Sequence, residues 1–443
     1  YIDALIADLE LATPKVWGRK VGSVFFGGGT PSLFSAEGID RILSQVRMLT
    51  PLEYDAEITL EANPGTVDTG NFIGYKQAGV TRLSLGIQSF NDAHLQALGR
   101  IHDSEQALAA IALAMQTFEQ VNLDLMYGLP EQSLAQAMQD GALGLSSGLF
   151  YQPAAAADAE EMKALASVVG QHGGVYVTHM RSEMDSILDA MHEAADTAKA
   201  GRTPWILSHH KCAGPKNWGR TIETLALLDK LAKTQEIGLD AYPYNAGSTL
   251  LRSDLVDGVI QILITRSEPH PEMVGRYLED IASEWGVNQQ EACHRLMPGG
   301  ACYFQMDEAD VRRVLQHPLT MIGSDGLPHD ERPHPRLWGA FARVLGHYAR
   351  DEKLFHLPQA IHKMTGLSAK RFGLQDRGVI KEGAYADLVL LDPLKVKDTA
   401  SYDQPLQMCE GIHRVMLNGN WSFEQGRCTG QAAGRFLKRP AVN

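Results

Sequence analysis

The sequence predicts an α/β fold in which parallel strands and helices form a (β/α) barrel. Three observations lead to this prediction. The chain has 443 residues of which 44% are hydrophobic, enough for two or three domains with a large core. Short apolar runs alternate with amphipathic helical patterns, as in parallel sheets and barrels. The runs end in glycine or polar residues, and such strand ends carry the site residues of these folds.

Composition restricts the class of protein. The formal net charge is −13 and no basic tract interrupts the sequence, which argues against a nucleic-acid partner. No apolar run has the roughly 18–20 residues of a membrane span, and no secretory signal opens the chain. The five cysteines form no C-x-x-C group, as expected for free thiols in a reducing compartment. We therefore expect a cytoplasmic enzyme that binds neither nucleic acid nor membrane.

The first part of the chain contains four apolar runs that predict strands and two amphipathic patterns that predict helices. A triple glycine follows the first strand, and glycine allows a tight bend and close approach to a ligand. The strands are "SVFFGGG" (23–29), "AEITLEANP" (56–64), "TRLSLGIQSF" (81–90) and "VNLDLMYGLP" (121–130), and the helices are "GIDRILSQVRML" and "EQALAAIALAMQTF".

Five motifs in residues 1–140 carry a resemblance to a known family: "FFGGGTPSLF", "LEANPGT", "RLSLGIQSF", "LGRIH" and "NLDLMYGLPEQ". They resemble the radical S-adenosylmethionine (SAM) proteins of the oxygen-independent coproporphyrinogen oxidase family, and most closely its heme-chaperone branch. The resemblance implies a partial radical SAM barrel. It also implies SAM binding by Gly28, Gly29 and Thr30, in a pocket lined by Glu61, Gln88, Arg100 and Asp124.

The cysteine loop that holds the [4Fe–4S] cluster of that family would precede residue 1, so we expect no radical chemistry from this chain. In the alternative interpretation, residues 1–140 are a structural remnant whose polar strand ends bind nothing.

After residue 140 the strand ends carry a different chemistry. "GGVYVTHMRSE" (173–183) ends at His179, "PWILSHHKCAG" (204–214) at His209 and "LTMIGSDGLPHD" (319–330) at Asp325. The two histidines lie one βα unit apart, which predicts neighbouring strands with both imidazoles at the barrel mouth. Two imidazoles and a carboxylate suit zinc, and Asp325 could move a proton during amide hydrolysis. Alternatively each histidine is a hydrogen-bonded structural residue. Strand alternation should turn His210 away from the mouth.

The motifs "GALGLSSGLFYQPA", "THMRSE", "SHHKCAG", "DAYPYNAGST", "GSDG", "HPRLWG" and "FGLQDRGVIKEGAYADLVLLDP" carry a second resemblance, over residues 141–443. They resemble the N-acyl-D-amino-acid deacylase (D-aminoacylase) family of the amidohydrolase superfamily. The resemblance implies a partial TIM barrel at 141–378 with an inserted lid at about 250–312, and a small β-sandwich segment at 379–443. It assigns zinc ligation to His179 and His209, the catalytic acid/base to Asp325, and substrate contacts to Lys211, Tyr242, Ser248 and Arg336.

The stretch "LAQAMQDGALGLSSGLF" (134–150) is predicted to be the junction of the two patterns. It reads as the end of an amphipathic helix up to Asp140 and as a small-residue strand from Gly141. The deacylase family's H-x-H and bridging cysteine should precede this point, and residues 1–140 contain neither. We therefore expect an impaired, zinc-dependent N-acyl-D-amino-acid deacylase. The alternatives are a SAM- and heme-binding protein and a non-catalytic fusion product.

Overall fold

Strands and helices alternate along the chain in the computed structural model, which describes residues 1–66, 69–126, 129 and 132–439. The structure divides into two units, Tyr1–Ser133 and Leu134–Asn443. Part of the "NLDLMYGLPEQ" motif lies outside the described residues. Among the helices that are described, none is both long enough and apolar enough to cross a membrane.

The first unit is built on a four-stranded parallel sheet whose strands are connected by helices. Its strands follow the chain in the order β1–β2–β3–β4, and all three pairings are parallel. The elements are α1 (Ile2–Ala12), β1 (Val21–Phe26), α2 (Ala36–Leu49), β2 (Leu52–Ala62), α3 (Thr69–Ala78), β3 (Arg82–Gln88), α4 (Asp92–Ala97), α5 (Ser104–Thr117) and β4 (Gln120–Leu125).

The two faces of this sheet differ because side chains alternate along each strand. Leu83 and Leu85 of β3 face the helices and are fully buried in a core with Ile39 of α2. The intervening Ser84 instead donates a hydrogen bond to Asp124 on β4 (3.0 Å). Ser84 and Asp124 therefore lie on the side of the sheet opposite this core.

The second unit begins with the predicted helix-to-strand junction. Its elements are α6 (Leu134–Gln139), β5 (Gly144–Gly148), α7 (Ala159–Gln171), β6 (Val175–His179), α8 (Ile187–Gly201), β7 (Trp205–Leu207), α9 (Thr221–Leu231), β8 (Ile237–Ala241), β9 (Gly247–Leu250), β10 (Ile262–Ser267), α10 (Leu278–Trp285), α11 (Gln289–Leu296), β11 (Gly299–Tyr303), α12 (Glu308–Gln316), β12 (Thr320–Ile322), α13 (Arg336–Arg343) with a π-helical continuation (Val344–Asp351), α14 (Leu357–Met364), α15 (Gly366–Arg371), β13 (Leu388–Leu391), β14 (Ile412–Leu417), β15 (Asn420–Glu424) and β16 (Arg427–Cys428).

A five-stranded parallel sheet organises this unit, in the order β12–β8–β7–β6–β5. Helices α8 and α9 pack on it through a core that includes Trp205 and Leu239, both fully buried. In the described part of the chain β5 and β12 are the two edges of the sheet. The strands and helices establish the parallel α/β fold that the sequence predicts, whereas barrel closure stays a prediction.

The "DAYPYNAGST" motif (240–249) connects two strands that belong to different sheets, β8 and β9. Pro243 follows β8, and a proline cannot donate the hydrogen bond that would continue a ladder. The chain turns there and enters β9, which pairs with β11 in a three-stranded antiparallel sheet, β10–β11–β9. Ser248 consequently lies in this inserted sheet, which begins slightly before the predicted lid at 250–312.

The C-terminal segment forms a single antiparallel sheet, β13–β14–β15–β16, where the sequence predicts half of a β-sandwich. Strand β13 is an edge, and its side chains Leu388, Val389 and Leu390 are 38%, 55% and 55% exposed. The described residues include no second sheet packed against these apolar side chains. The sandwich itself therefore stays a prediction.

Candidate metal centre

Two neighbouring parallel strands bring the predicted histidines together. Strand β6 ends at His179, and His209 follows two residues after the end of β7, which pairs with β6. The two imidazole rings meet edge to face, with centroids 4.3 Å apart. The spacing of one βα unit thus places both side chains at the carboxyl edge of the sheet.

His209 is held in an unusual backbone conformation. Its φ is +38°, which costs energy for a non-glycine residue and persists where the surroundings enforce it. Its N–H donates to the Asp240 carboxylate on β8 (2.8 Å), and burial raises the pKa of Asp240. The next residue, His210, is turned away as predicted, and its Nε2 lies 2.8 Å from the Thr224 hydroxyl of α9.

Glu183 is the site residue that our sequence analysis did not identify. It lies four residues after His179, in the "THMRSE" motif, and is 5% exposed. One carboxylate oxygen lies 3.0 Å from His209 Nδ1, and the other lies 3.5 Å from His179 Nε2. Burial works to raise the pKa of Glu183, but the Lys211 ammonium and the two imidazoles outweigh burial and lower that pKa. The sequence did contain a clue to Glu183, because it is an acidic residue four positions after the candidate ligand His179.

The Lys211 ammonium lies against two members of this group, Glu183 and His209. Its Nζ lies 2.6 Å from Glu183 Oε1 and 2.8 Å from His209 Nδ1, and it also donates to the His209 carbonyl (3.1 Å). Burial works to lower the pKa of Lys211, but the Glu183 carboxylate raises it above its ordinary value. Lys211 is therefore a buried cation whose main counter-charge is Glu183.

The donor atoms of His179, Glu183 and His209 fit a divalent metal. They lie within 4.8 Å of one another, and two imidazoles with one carboxylate are a known zinc ligand set. His179 Nε2 is buried and has no hydrogen-bond partner among the described residues. Burial lowers the pKa of His179 to about 3, so the imidazole is neutral near pH 7 and has a lone pair to offer a metal.

The predicted substrate residues line the same cavity. The cavity has an empty volume of about 460 Å³, and its wall includes the inserted sheet as well as the strand ends. Its lining comprises Phe150, Tyr151, His179, Glu183, Met184, His209, Lys211, Ala213, Tyr242, Gly247, Ser248, Thr249, Leu255, Gln305, Asp325 and Arg336. The structure therefore brings all seven residues predicted for the second part of the chain to one cavity.

Arg336 and Asp325 form an ion pair on the wall of this cavity. The Arg336 side chain is 1% exposed, and its Nη2 lies 2.9 Å from the Asp325 carboxylate. Its Nε donates to the Asp325 carbonyl (2.8 Å), and its guanidinium lies 4.2 Å above the Tyr242 ring. Nε and Nη2 are thus occupied, and Nη1 has no hydrogen-bond partner among the described residues. Arg336, for which the resemblance implies a contact with the substrate, thus directs two of its nitrogens at Asp325, and its Nη1 is left for another anion.

A second cavity, of about 610 Å³, lies at the strand ends of the first unit. Six of the seven predicted cofactor residues line it, namely Gly29, Thr30, Glu61, Gln88, Arg100 and Asp124. The seventh, Gly28, donates its N–H to Glu61 Oε2 (3.3 Å). Gly28 and Gly29 have φ values of +80° and +61°, so this turn favours glycine.

Imidazoles and a buried carboxylate at the ends of parallel strands define an α/β protein with a candidate metal centre. The profile of the amidohydrolase family matches residues 74–420, and the chain belongs to that family. D-aminoacylase of Alcaligenes xylosoxydans xylosoxydans is 49% identical over 307 residues, which are 69% of this chain and 63% of that protein.

A solved structure supports the same likeness. N-acyl-D-glutamate deacylase from Bordetella bronchiseptica, complexed with zinc and a phosphonate inhibitor that mimics the tetrahedral intermediate, is 36% identical with a TM-score of 0.67. The comparison covers 88% of this chain and 91% of that one.

A separate part of the chain is similar to a different protein. The heme chaperone HemW of Haemophilus influenzae is 51% identical over 137 residues, which are 31% of this chain and 36% of that protein. The amidohydrolase match begins at residue 74, within the first unit, although the motifs of residues 1–140 are those of the heme-chaperone family. The chain thus joins parts of two families, and it spans less than two thirds of either curated relative.

Proposed function

We propose that the chain is a zinc-dependent hydrolase that cleaves N-acyl-D-amino acids into a carboxylate and a D-amino acid. The observation that carries the proposal is the convergence of the metal donors His179 and His209 with Lys211, Asp325 and Arg336 on one cavity. The likeness to a deacylase structure that contains zinc and a mimic of the tetrahedral intermediate supports this reaction class. A cytoplasmic location belongs to the same proposal.

The residues have separable roles in this reaction. His179 and His209 would hold zinc, which supplies a Lewis acid that polarises the amide carbonyl and makes water a stronger acid. Asp325 would accept a proton from the attacking water and deliver it to the leaving amine nitrogen. The cations Lys211 and Arg336 would attract the substrate carboxylate, since both line the cavity.

An assay of the zinc-loaded chain with N-acetyl-D-leucine and N-acetyl-L-leucine tests the proposal. We expect zinc-dependent release of D-leucine in excess over L-leucine, with the release abolished in His209→Ala. If both enantiomers react at the same rate, or if the rate is independent of zinc and of His209, this proposal is wrong.

The cavity of the first unit favours a second candidate function, the binding of S-adenosylmethionine. Its wall combines a positive-φ glycine turn with Glu61, Arg100 and Asp124, which match the ammonium and carboxylate groups of that ligand. Calorimetric titration with S-adenosylmethionine should detect binding that Gly29→Val weakens by at least about tenfold, because a β-branched residue cannot readily adopt the φ of this turn. Equal heats for both proteins would exclude this site.

A further inference from the structure

We propose that Lys211 and the metal are alternative occupants of the donors Glu183 and His209, so that metal binding releases Lys211 toward the substrate carboxylate. The proposal rests on the zinc site of the proposed function and adds a third ligand, Glu183, together with an internal cation that leaves when the metal arrives.

Glu183 is in a position to be the third metal ligand. No cysteine lines the cavity among the described residues, and Glu183 offers a carboxylate beside both imidazoles. Donors around a tetrahedral zinc ion with bonds of about 2.0–2.1 Å are separated by roughly 3.3 Å. Glu183 Oε1 lies 3.0 Å from His209 Nδ1 and Oε2 lies 3.5 Å from His179 Nε2, so each oxygen is close to that separation from one imidazole.

Lys211 contacts the same donor atoms that the metal would bind. Its ammonium contacts Glu183 Oε1 at 2.6 Å and His209 Nδ1 at 2.8 Å, which are lone pairs that a metal bound by these residues would use. His209 Nδ1 has a single lone pair, which an ammonium and a divalent ion cannot both use, and two cations this close repel each other strongly in a water-poor site. Metal loading should therefore displace the Lys211 ammonium.

A displaced Lys211 ammonium would have unpaired polar groups of the cavity beside it. The side chain lines the cavity, and its Nζ lies 5.8 Å from the centre of the Tyr242 ring. The Tyr242 hydroxyl and Arg336 Nη1 are buried there and have no hydrogen-bond partner among the described residues. A released Lys211 would join these two groups, and together they match a carboxylate. Metal and substrate would then raise each other's affinity, because linkage between two sites is reciprocal.

Zinc affinity, measured by chelator competition, tests the exchange. Lys211→Met should bind zinc about tenfold or more tightly than the parent chain, because the competing cation is gone. Lys216→Met is the matched control, since it removes an exposed lysine from the same loop and should not change the zinc affinity.

Glu183→Gln should weaken zinc binding by about tenfold or more in both the parent and the Lys211→Met chain. Unchanged or weaker zinc binding by Lys211→Met would overturn the proposal. Loss of the Glu183→Gln effect in the Lys211→Met chain would do the same, because Glu183 would then serve only to hold Lys211.

Chemical labelling of the parent chain tests the release without a substitution that could prevent folding. Acetic anhydride should acetylate Lys211 severalfold faster after zinc is added, whereas Lys216 should react at one rate throughout, as read by peptide mass spectrometry. A constant or slower rate of acetylation at Lys211 contradicts the proposal.

His209→Ala separates the hypothesis of a zinc centre from the hypothesis that Lys211 and the metal exchange. If it leaves zinc affinity unchanged, the metal centre itself is wrong, whereas if it lowers zinc affinity while Lys211 gives the contradicting results, only the exchange is wrong.

Discussion

Glu183 Oε1 and Lys211 Nζ lie 2.6 Å apart, with 7% and 10% of their side chains exposed, and so form a buried ion pair. In metal-free protein Glu183→Gln should lower the free energy of unfolding by about 3–5 kcal/mol, because it leaves the Lys211 charge buried without its counter-charge. The double variant Glu183→Gln/Lys211→Met should lose less than Glu183→Gln alone. Urea denaturation in the presence of a chelator measures both.

The matched control for this pair is Glu160→Gln. Glu160 pairs with Lys163 at 2.8 Å, but its side chain is 83% exposed. An exposed pair contributes little to stability because water and salt screen it, so this variant should unfold close to the parent midpoint. If the two variants are equally destabilised, burial is not what makes the Glu183–Lys211 pair important.

Asp325→Asn separates the proposed proton transfer from the architecture of the site. The amide cannot accept a proton from water, but its oxygen can still accept the hydrogen bond from Arg336. We expect hydrolysis of N-acetyl-D-leucine to slow by about 10²–10⁴-fold with zinc affinity retained. Asp254→Asn, which alters an exposed pair with Arg252, should keep the parent rate. An Asp325→Asn chain at full rate would assign proton transfer to another group.

Arg439 connects the C-terminal tail to the helix-to-strand junction of the second unit by hydrogen bonds. Its guanidinium donates to the carbonyls of Met138 (2.8 Å), Ala142 (3.2 Å) and His172, and its own N–H donates to Gly141 (2.9 Å).

Arg439→Ala should therefore lower the free energy of unfolding by about 2 kcal/mol, since several hydrogen bonds from a charged donor are lost. Arg435→Ala, in the same tail, should have little effect because Arg435 is exposed. Thermal unfolding of both variants distinguishes a specific clamp from a general effect of the tail.

Lys363 should make stability depend on pH. It is 6% exposed, donates to the His317 and Thr320 carbonyls (2.5 and 3.2 Å), and burial lowers its pKa from 10.5 to about 8. Between these values the unfolded chain binds a proton that the folded chain does not, so the free energy of unfolding should rise with pH in this window.

Relative to Lys363→Met, the parent should gain about 3 kcal/mol between pH 8 and 10.5. Urea denaturation at intervals of half a pH unit measures the difference. Lys370→Met, which alters an exposed lysine of α15, should keep the parent slope. Parallel curves for the parent and Lys363→Met would show that Lys363 does not titrate in this range.

The local pattern of residue types was enough to predict the parallel strands and the two histidines that follow them. The runs that end at His179 and His209 form adjacent parallel strands because alternation with helices restricts how such strands can pair. The same reasoning turned His210 away, since consecutive side chains on a strand face opposite sides. The roles of these residues in zinc and substrate binding stay predictions.

The sequence by itself determined the parallel α/β class, the likeness to two families and the strand ends that carry imidazoles, because these depend on residue type and short-range period. Tertiary structure alone decided that Glu183 and Lys211 neutralise each other between two histidines, and that Arg336 turns its fork toward Asp325. It also decided that Ser248 reaches the cavity from an inserted sheet. The physical reason is that charge pairing and burial depend on distances between side chains remote in the chain, which no local period encodes.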